Sequence, residues 1–402
     1  MTLTSKRAGR LFQTVAIMLP MLMQIGAARA HDDVILYTFH GGTDGDGPYA
    51  GVIADKSGNL YGTTFFGGGN CENHGCGTVF EVSADGTETV LHAFSQKTDG
   101  RYPSAGLIED NAGNLYGTTT QGGASDKPRC ESHGCGTVFK LAPDGTETVL
   151  YAFQGEFDGD GRIPYAGLIA DAAGNLYGTT AYGGSRNCQS GCGTVFKIAP
   201  DGTETVLYKF QGGSDGEQPY AGVIADTTGN LYGTTSAGGI RSGGTIYKVA
   251  TGGTETVLYA FGSQAGDGYD SRAGLTADAS GNFYGTTWRG GANSFGTVFE
   301  LAPDGTETVL YAFQNKKDGE YPLGGVILDK AGNLYGTTSF GSMNAGTAFK
   351  LSPAGKLGVL HAFTGGGDGA NPEAGLILGK AGNLYGTTTA GGDAGTVFEI
   401  KK

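Results

Sequence analysis

From residue 33 onward, apolar residues fall in short runs separated by clusters of Gly, Asp, Asn and Ser. Residues 166–171, 174–180, 193–199 and 204–210 show the pattern well, each run filled with Val, Ile, Leu, Tyr, Phe or Thr. Half-buried strands favour these types. Val206, Tyr208 and Phe210 alternate with Leu207 and Lys209, a period of two with both faces partly apolar. That suits sheets stacked on other sheets. No stretch sustains an apolar period of 3.6, so almost no helix is expected.

One word, Gly-Asn-Leu-Tyr-Gly-Thr-Thr, begins at Gly58, Gly113, Gly174, Gly229, Gly281, Gly332 and Gly382, with Phe283 as its single changed letter. The spacing is 50 to 61 residues. Self-similarity at this period marks a propeller or a solenoid. The four runs of each unit are labelled strands A to D, with A innermost. Asp171 to Asn175 turns A into B, and Pro200-Asp201-Gly202 turns C into D. Gly in such turns takes positive φ at low cost. A longer stretch rich in Gly and acids crosses from D to the next A.

Residues 34–39 match strand D, and residues 395–400 match strand C of the last copy. The last copy therefore lacks a D strand, and the N-terminal run supplies one. The prediction is an all-β, seven-bladed β-propeller with four antiparallel strands per blade, closed by the N-terminal strand. Closure removes the exposed edge that an open array would carry. Gly is 77 of 402 residues but has no three-residue period, which excludes collagen.

Residues 1–30 read as a signal peptide, leaving residues 31–402 as a single propeller domain. Lys6, Arg7 and Arg10 precede an apolar stretch from Leu11 to Ile25, and Ala28-Arg29-Ala30 offers a cleavage site before His31. The stretch is short of the roughly 20 residues a membrane span needs. No membrane span is expected after its removal. Losing Lys6, Arg7, Arg10 and Arg29 takes the formal charge from −13 to −17. Such a surface repels nucleic acid and anionic membranes. A periplasmic or extracellular monomer is expected.

Cys71 and Cys76, Cys130 and Cys135, and Cys188 and Cys192 all lie in the long B-to-C loops of the first three blades. Three local disulfides are the simple reading in an exported chain. His74 and His133 sit inside two of the pairs, so zinc is the rival. The third pair has no His, and no metal site is assigned.

B-to-C loops and D-to-A crossovers share one rim, which carries the length variation, the cysteines and most loop acids. Variable loops on a rigid scaffold are the usual place for binding. Each crossover has an Asp-Gly pair, at Asp46, Asp99, Asp160, Asp215, Asp267, Asp318 and Asp368. These are either turn formers or a carboxylate ring able to take Ca²⁺ or a polyhydroxylated ligand. Trp288, the only Trp, opens a short loop on the same face and could stack on a sugar. The six His show no metal-enzyme spacing, and no nucleophile elbow or phosphate loop occurs.

The segments 58–64, 77–80 and 89–94, with their six further cycles, resemble the GloVer tandem-repeat family of bacterial exported proteins, also described as HAF-type extracellular repeats. The resemblance implies export and a repeat scaffold, and supplies no catalytic residues. Members often carry C-terminal surface anchors. This chain stops at its last strand, so a free form is expected. The function read from the sequence is an exported scaffold that binds a carbohydrate or protein on its long-loop face. The alternative is a glycan-active hydrolase or lyase using loop carboxylates.

Overall fold

The computed structural model describes residues 1–2, 33–69, 71, 74–95, 98–123, 130, 133–155, 159–315 and 317–401. The predicted leader and its cleavage point lie outside them, apart from the first two residues. Residues His31–Lys402 form one unit.

Seven four-stranded antiparallel sheets make the blades. In blade 3 the strands are Ile169–Ala170, Leu176–Thr180, Thr194–Ile198 and Glu204–Lys209, hydrogen-bonded in that order. Strands B to D fall within two residues of their predicted ends. Strand A does not: a six-residue strand was expected, and only two residues pair with B. The residues before them run beside the neighbouring blade instead. A Cβ on Gly167 would lie 3.0 Å from the Gly106 carbonyl oxygen.

The repeated word has a physical role for each letter. In blade 3, Asn175 donates its backbone N–H and its amide to Asp171, which fixes the A-to-B turn. Leu176 is buried, and the Tyr177 hydroxyl donates to Asp171 at 3.0 Å. Gly178 pairs with Phe196, and a Cβ there would lie 2.6 Å from that ring. Thr179 donates its hydroxyl to the Ala221 carbonyl of the next blade at 2.9 Å. Thr180 shares a buried hydrogen bond with Thr194 at 2.7 Å. Both threonine bonds recur around the ring, and Thr387 donates to the Ala50 carbonyl at 2.8 Å, from the last blade to the first.

The core lies between blades. A Phe ending strand D meets an aromatic of the next blade's strand C edge-on, as Phe153 meets Phe196 at 5.1 Å and Phe210 meets Tyr247 at 4.9 Å. Each such pair adds about 1 kcal/mol beyond its area. Ring closure repeats this geometry. Asp33–Thr38 pairs with Thr396–Ile400, with Asp33 opposite Ile400 and Thr38 opposite Thr396. Phe39, with no exposed surface, then packs on Phe80 at 5.0 Å. The predicted closure and the blade count are both present.

The disulfides Cys71–Cys76, Cys130–Cys135 and Cys188–Cys192 are formed, with Cα separations of 5.5, 4.8 and 5.2 Å. All six sulfurs are thereby taken, so none serves as a thiolate ligand. Rings this small constrain little of the unfolded chain, and each should contribute less than a long-range bridge.

Each crossover ends in a left-handed residue. Gly47, Tyr102, Ile163, Gln218, Asp270, Tyr321 and Asn371 have φ between 54° and 64°. Its N–H reaches back to the preceding blade, as Ile163 donates to the Cys135 carbonyl at 2.8 Å, and its carbonyl accepts from its own blade, here from Ala181 at 3.1 Å. The bridge fixes the conformation whatever the side chain. A β-branched residue suffers most there. Ile163→Asn should therefore stabilise the fold by about 1 kcal/mol, read as a higher denaturant midpoint at unchanged slope.

Candidate functional site

The repeated acids of the crossovers are already engaged. Tyr37, Tyr151, Tyr208, Tyr259 and Tyr311 donate hydroxyls to Asp44, Asp160, Asp215, Asp267 and Asp318 at 2.7–3.1 Å. His92 and His361 take the tyrosine's place and face Asp99 and Asp368 at 3.3 and 3.2 Å. Each Asp also accepts a crossover N–H, as Asp267 does from Ser263 at 3.0 Å. Burial alone would raise Asp99, but bonds from His92 and Ser95 outweigh it and hold the carboxyl below its ordinary range. Burial pushes Asp215 up. These clasps tie crossovers to the outermost strand.

The first crossover differs from the sequence reading, which took Asp46 as the equivalent of the other six Asp-Gly acids: Asp44 occupies that place. Two Asp-Gly pairs adjoin there, and only Asp44 accepts the Tyr37 hydroxyl. Asp46 instead pairs with Phe66 as an edge residue, the place that Arg101 holds opposite Gln121 in blade 2.

The axial mouth is built by a different position. After each left-handed residue the chain reads Pro-x-Ala-Gly, with Ser271 for Pro in blade 5 and Gly324 for Ala in blade 6. The Ala and Gly approach the axis. The x side chains, Tyr49, Ser104, Tyr165, Tyr220, Arg272, Leu323 and Glu373, line one depression of about 430 Å³ together with Phe65. It lies on the predicted long-loop face.

Its aromatic residues form two groups, on either side of Ser104. Tyr165 and Tyr220 lie 5.2 Å apart, and Tyr220 shares a 2.7 Å hydrogen bond with Tyr182. Tyr49 meets Phe65 at 5.2 Å, and Phe65 stacks on Tyr102 at 4.7 Å. Tyr49 and Tyr165 remain 37% and 36% exposed, so their rings are open to a ligand. The Arg272 guanidinium lies 5.5 Å from the Tyr220 ring and 4.2 Å from Trp288, held by Asp270 at 2.9 Å. Trp288, half-buried, also has Arg289 at 4.1 Å. Thus Trp288 borders the depression through Arg272.

Burial pushes the Glu373 carboxyl above its ordinary value, with Arg272 opposing. Burial and the bond to Tyr182 hold Tyr220 protonated well above the ordinary tyrosine range. The depression therefore offers aromatic faces, neutral hydroxyl donors, one guanidinium and one carboxyl of shifted affinity for protons. Such a mixture orients a polar ligand over apolar surface.

The sequence reading missed this ring because it followed what repeats. The usable signal was the reverse. One position, fixed between Pro and Ala-Gly, changes from Tyr to Ser, Arg, Leu and Glu around the ring.

Among solved structures, the extracellular domain of a one-component system from B. thetaiotaomicron aligns at a TM-score of 0.53 and 12% identity, over 92% of this chain and 40% of that one. A puromycin hydrolase variant aligns at 0.53 and 12%, over 87% of this chain and 52% of that one. This chain spans about half or less of either partner's length, and the likeness is one of fold. No curated protein matches the chain. The Gloeobacter/Verrucomicrobia repeat model matches residues 28–212 and 185–398, so all seven copies of the word fall within it. The chain belongs to the Gloeobacter/Verrucomicrobia repeat family.

Proposed function

We propose that this protein is a non-catalytic, extracytoplasmic binding protein that takes a carbohydrate in the axial depression of its long-loop face. The observation that carries this reading is the variable ring, where three tyrosines, Ser104, Arg272 and Glu373 converge within one depression. Tyr rings supply apolar faces with a polar tip. The hydroxyls, guanidinium and carboxyl suit the hydroxyls of a sugar. The basic and apolar N-terminal stretch and the three disulfides support a place outside the cytoplasm. Among the described residues, Glu373 is the one carboxyl lining the depression, whereas glycoside hydrolysis ordinarily uses two.

A glycan panel incubated with the mature protein tests the reading. At least one oligosaccharide should bind saturably without being cleaved. Tyr220→Ala should weaken that binding by about tenfold, with the melting temperature nearly unchanged. Absence of any glycan binding would favour a protein partner, and cleaved product would favour the hydrolase reading.

A further inference from the structure

Blade 5 departs from the repeat at several places. It has Thr276 where the six other blades have Ile, and Phe283 where they have Leu. Those six Leu residues are 0–4% exposed, whereas Phe283 is only half-buried. The axis shows the same irregularity. A Cβ on Gly167, Gly222 or Gly325 would lie 2.9–3.0 Å from the carbonyl oxygen of the preceding blade's glycine, yet one on Gly274 would meet nothing within 4 Å. The axial contact between Gly222 and Gly274 is therefore open, although Thr234 still donates to the Ala273 carbonyl at 2.9 Å and Phe261 still meets Phe299 at 5.2 Å.

On the short-turn face, opposite the axial depression, blades 4 and 5 border a cleft of about 880 Å³. Ile224, Tyr232, Leu258, Phe283, Leu301 and Pro303 supply apolar walls. The Tyr232 and Phe283 rings are 4.8 Å apart and inclined at 37°. Asp226, Asp278 and Asp304 stand at the rim against one cation, Lys248, whose ammonium lies 5.7 Å from the Tyr232 ring. Burial alone would raise Asp226, but bonds from Asn230, Thr228 and Tyr232 outweigh it and keep the carboxylate ionised.

We propose that this cleft is a second binding site, for a small aromatic or alicyclic molecule carrying a positive charge. Phe283 and Tyr232 receive the ring. The excess of carboxylates at the rim selects the cation and repels an anion of the same shape. In the six other blades a buried Leu stands where blade 5 has the half-buried Phe283. Phe283 forms one wall of the cleft.

The test uses the mature protein, with 1-naphthylmethylammonium as probe and 1-naphthoate as its anionic counterpart. Isothermal titration should show saturable binding of the ammonium and at least about tenfold weaker binding of the carboxylate. The double variant Thr276→Ile/Phe283→Leu restores the residues used by the other blades and should fold. It should bind the ammonium at least about tenfold more weakly. Tyr220→Ala, on the opposite face, should leave this binding unchanged, which separates the two sites. No saturable binding by the wild type, equal binding of both probes, or undiminished binding by the double variant would overturn the proposal. So would loss of binding in Tyr220→Ala.

Discussion

A chain that begins at His40 should fail to form a stable ring. It lacks Asp33–Thr38, the strand that completes the last blade, and Phe39, which is fully buried against Phe80. Losing the Phe39 ring alone should cost about 3–5 kcal/mol. Losing the strand also bares the edge of Thr396–Ile400, whose backbone groups then seek another chain. The truncated protein should aggregate and show no single sharp melting transition. A synthetic peptide of residues 33–39 added in excess should restore solubility and the transition. A truncated chain that melts like the full one would mean the ring closes without its latch.

The second large effect is a rise in stability on acidification. Glu88, Glu147, Glu204, Glu255 and Glu307 begin strand D in blades 1 to 5, and each is pushed up to about 7. Burial is the main cause. A clasp carboxylate nearby adds to it, Asp44 beside Glu88 and Asp215 beside Glu255. One oxygen of each carboxyl is buried without a hydrogen-bond partner. The folded pKa lies above the unfolded one, so the folded state binds more protons between about pH 4.5 and 7. Stability is therefore greatest below about 4.5 for these groups and is lost as pH rises through 7.

Water still reaches most of these carboxyls, which cuts each contribution to about 1 kcal/mol. Together they should raise the melting temperature by about 5 °C between pH 8 and pH 5. Asp226 and Asp329 act the other way, because their turn bonds hold them below the ordinary range. Their stabilisation is lost only as pH falls below about 4. The optimum should thus lie near pH 5. Changing all five Glu to Gln should raise the melting temperature at pH 8 and flatten the profile. A wild-type protein that melts higher at pH 8 than at pH 5 would refute this.

The fold was legible because its signals are local and repeated. Gly178 must be Gly to admit Phe196, and Thr179 must reach the next blade, so the word recurs wherever a blade recurs. The missing D strand of the last copy then pointed to Val34 and its neighbours. Strand A was read too long because Ala166 and Gly167 look like strand yet meet backbone at the axis. That contact is made with another blade, which no local pattern contains. The clasp acids attracted notice because they repeat, and repetition here reflects a shared structural task. Asp44 and Asp46 could be told apart only by the Tyr37 hydroxyl. The axial residues share no chemistry, so nothing in the chain joins Tyr49 to Glu373 until the ring brings them together.

The most direct test is a difference map of crystals of the mature protein soaked with the tightest-binding oligosaccharide of the panel. Density should lie on the ring axis, against Tyr165 and Tyr220 and within hydrogen-bonding reach of Arg272 or Glu373. Density confined to the outer clasps at Asp215 or Asp318, or to the short-turn face, would contradict the assignment of the axial mouth.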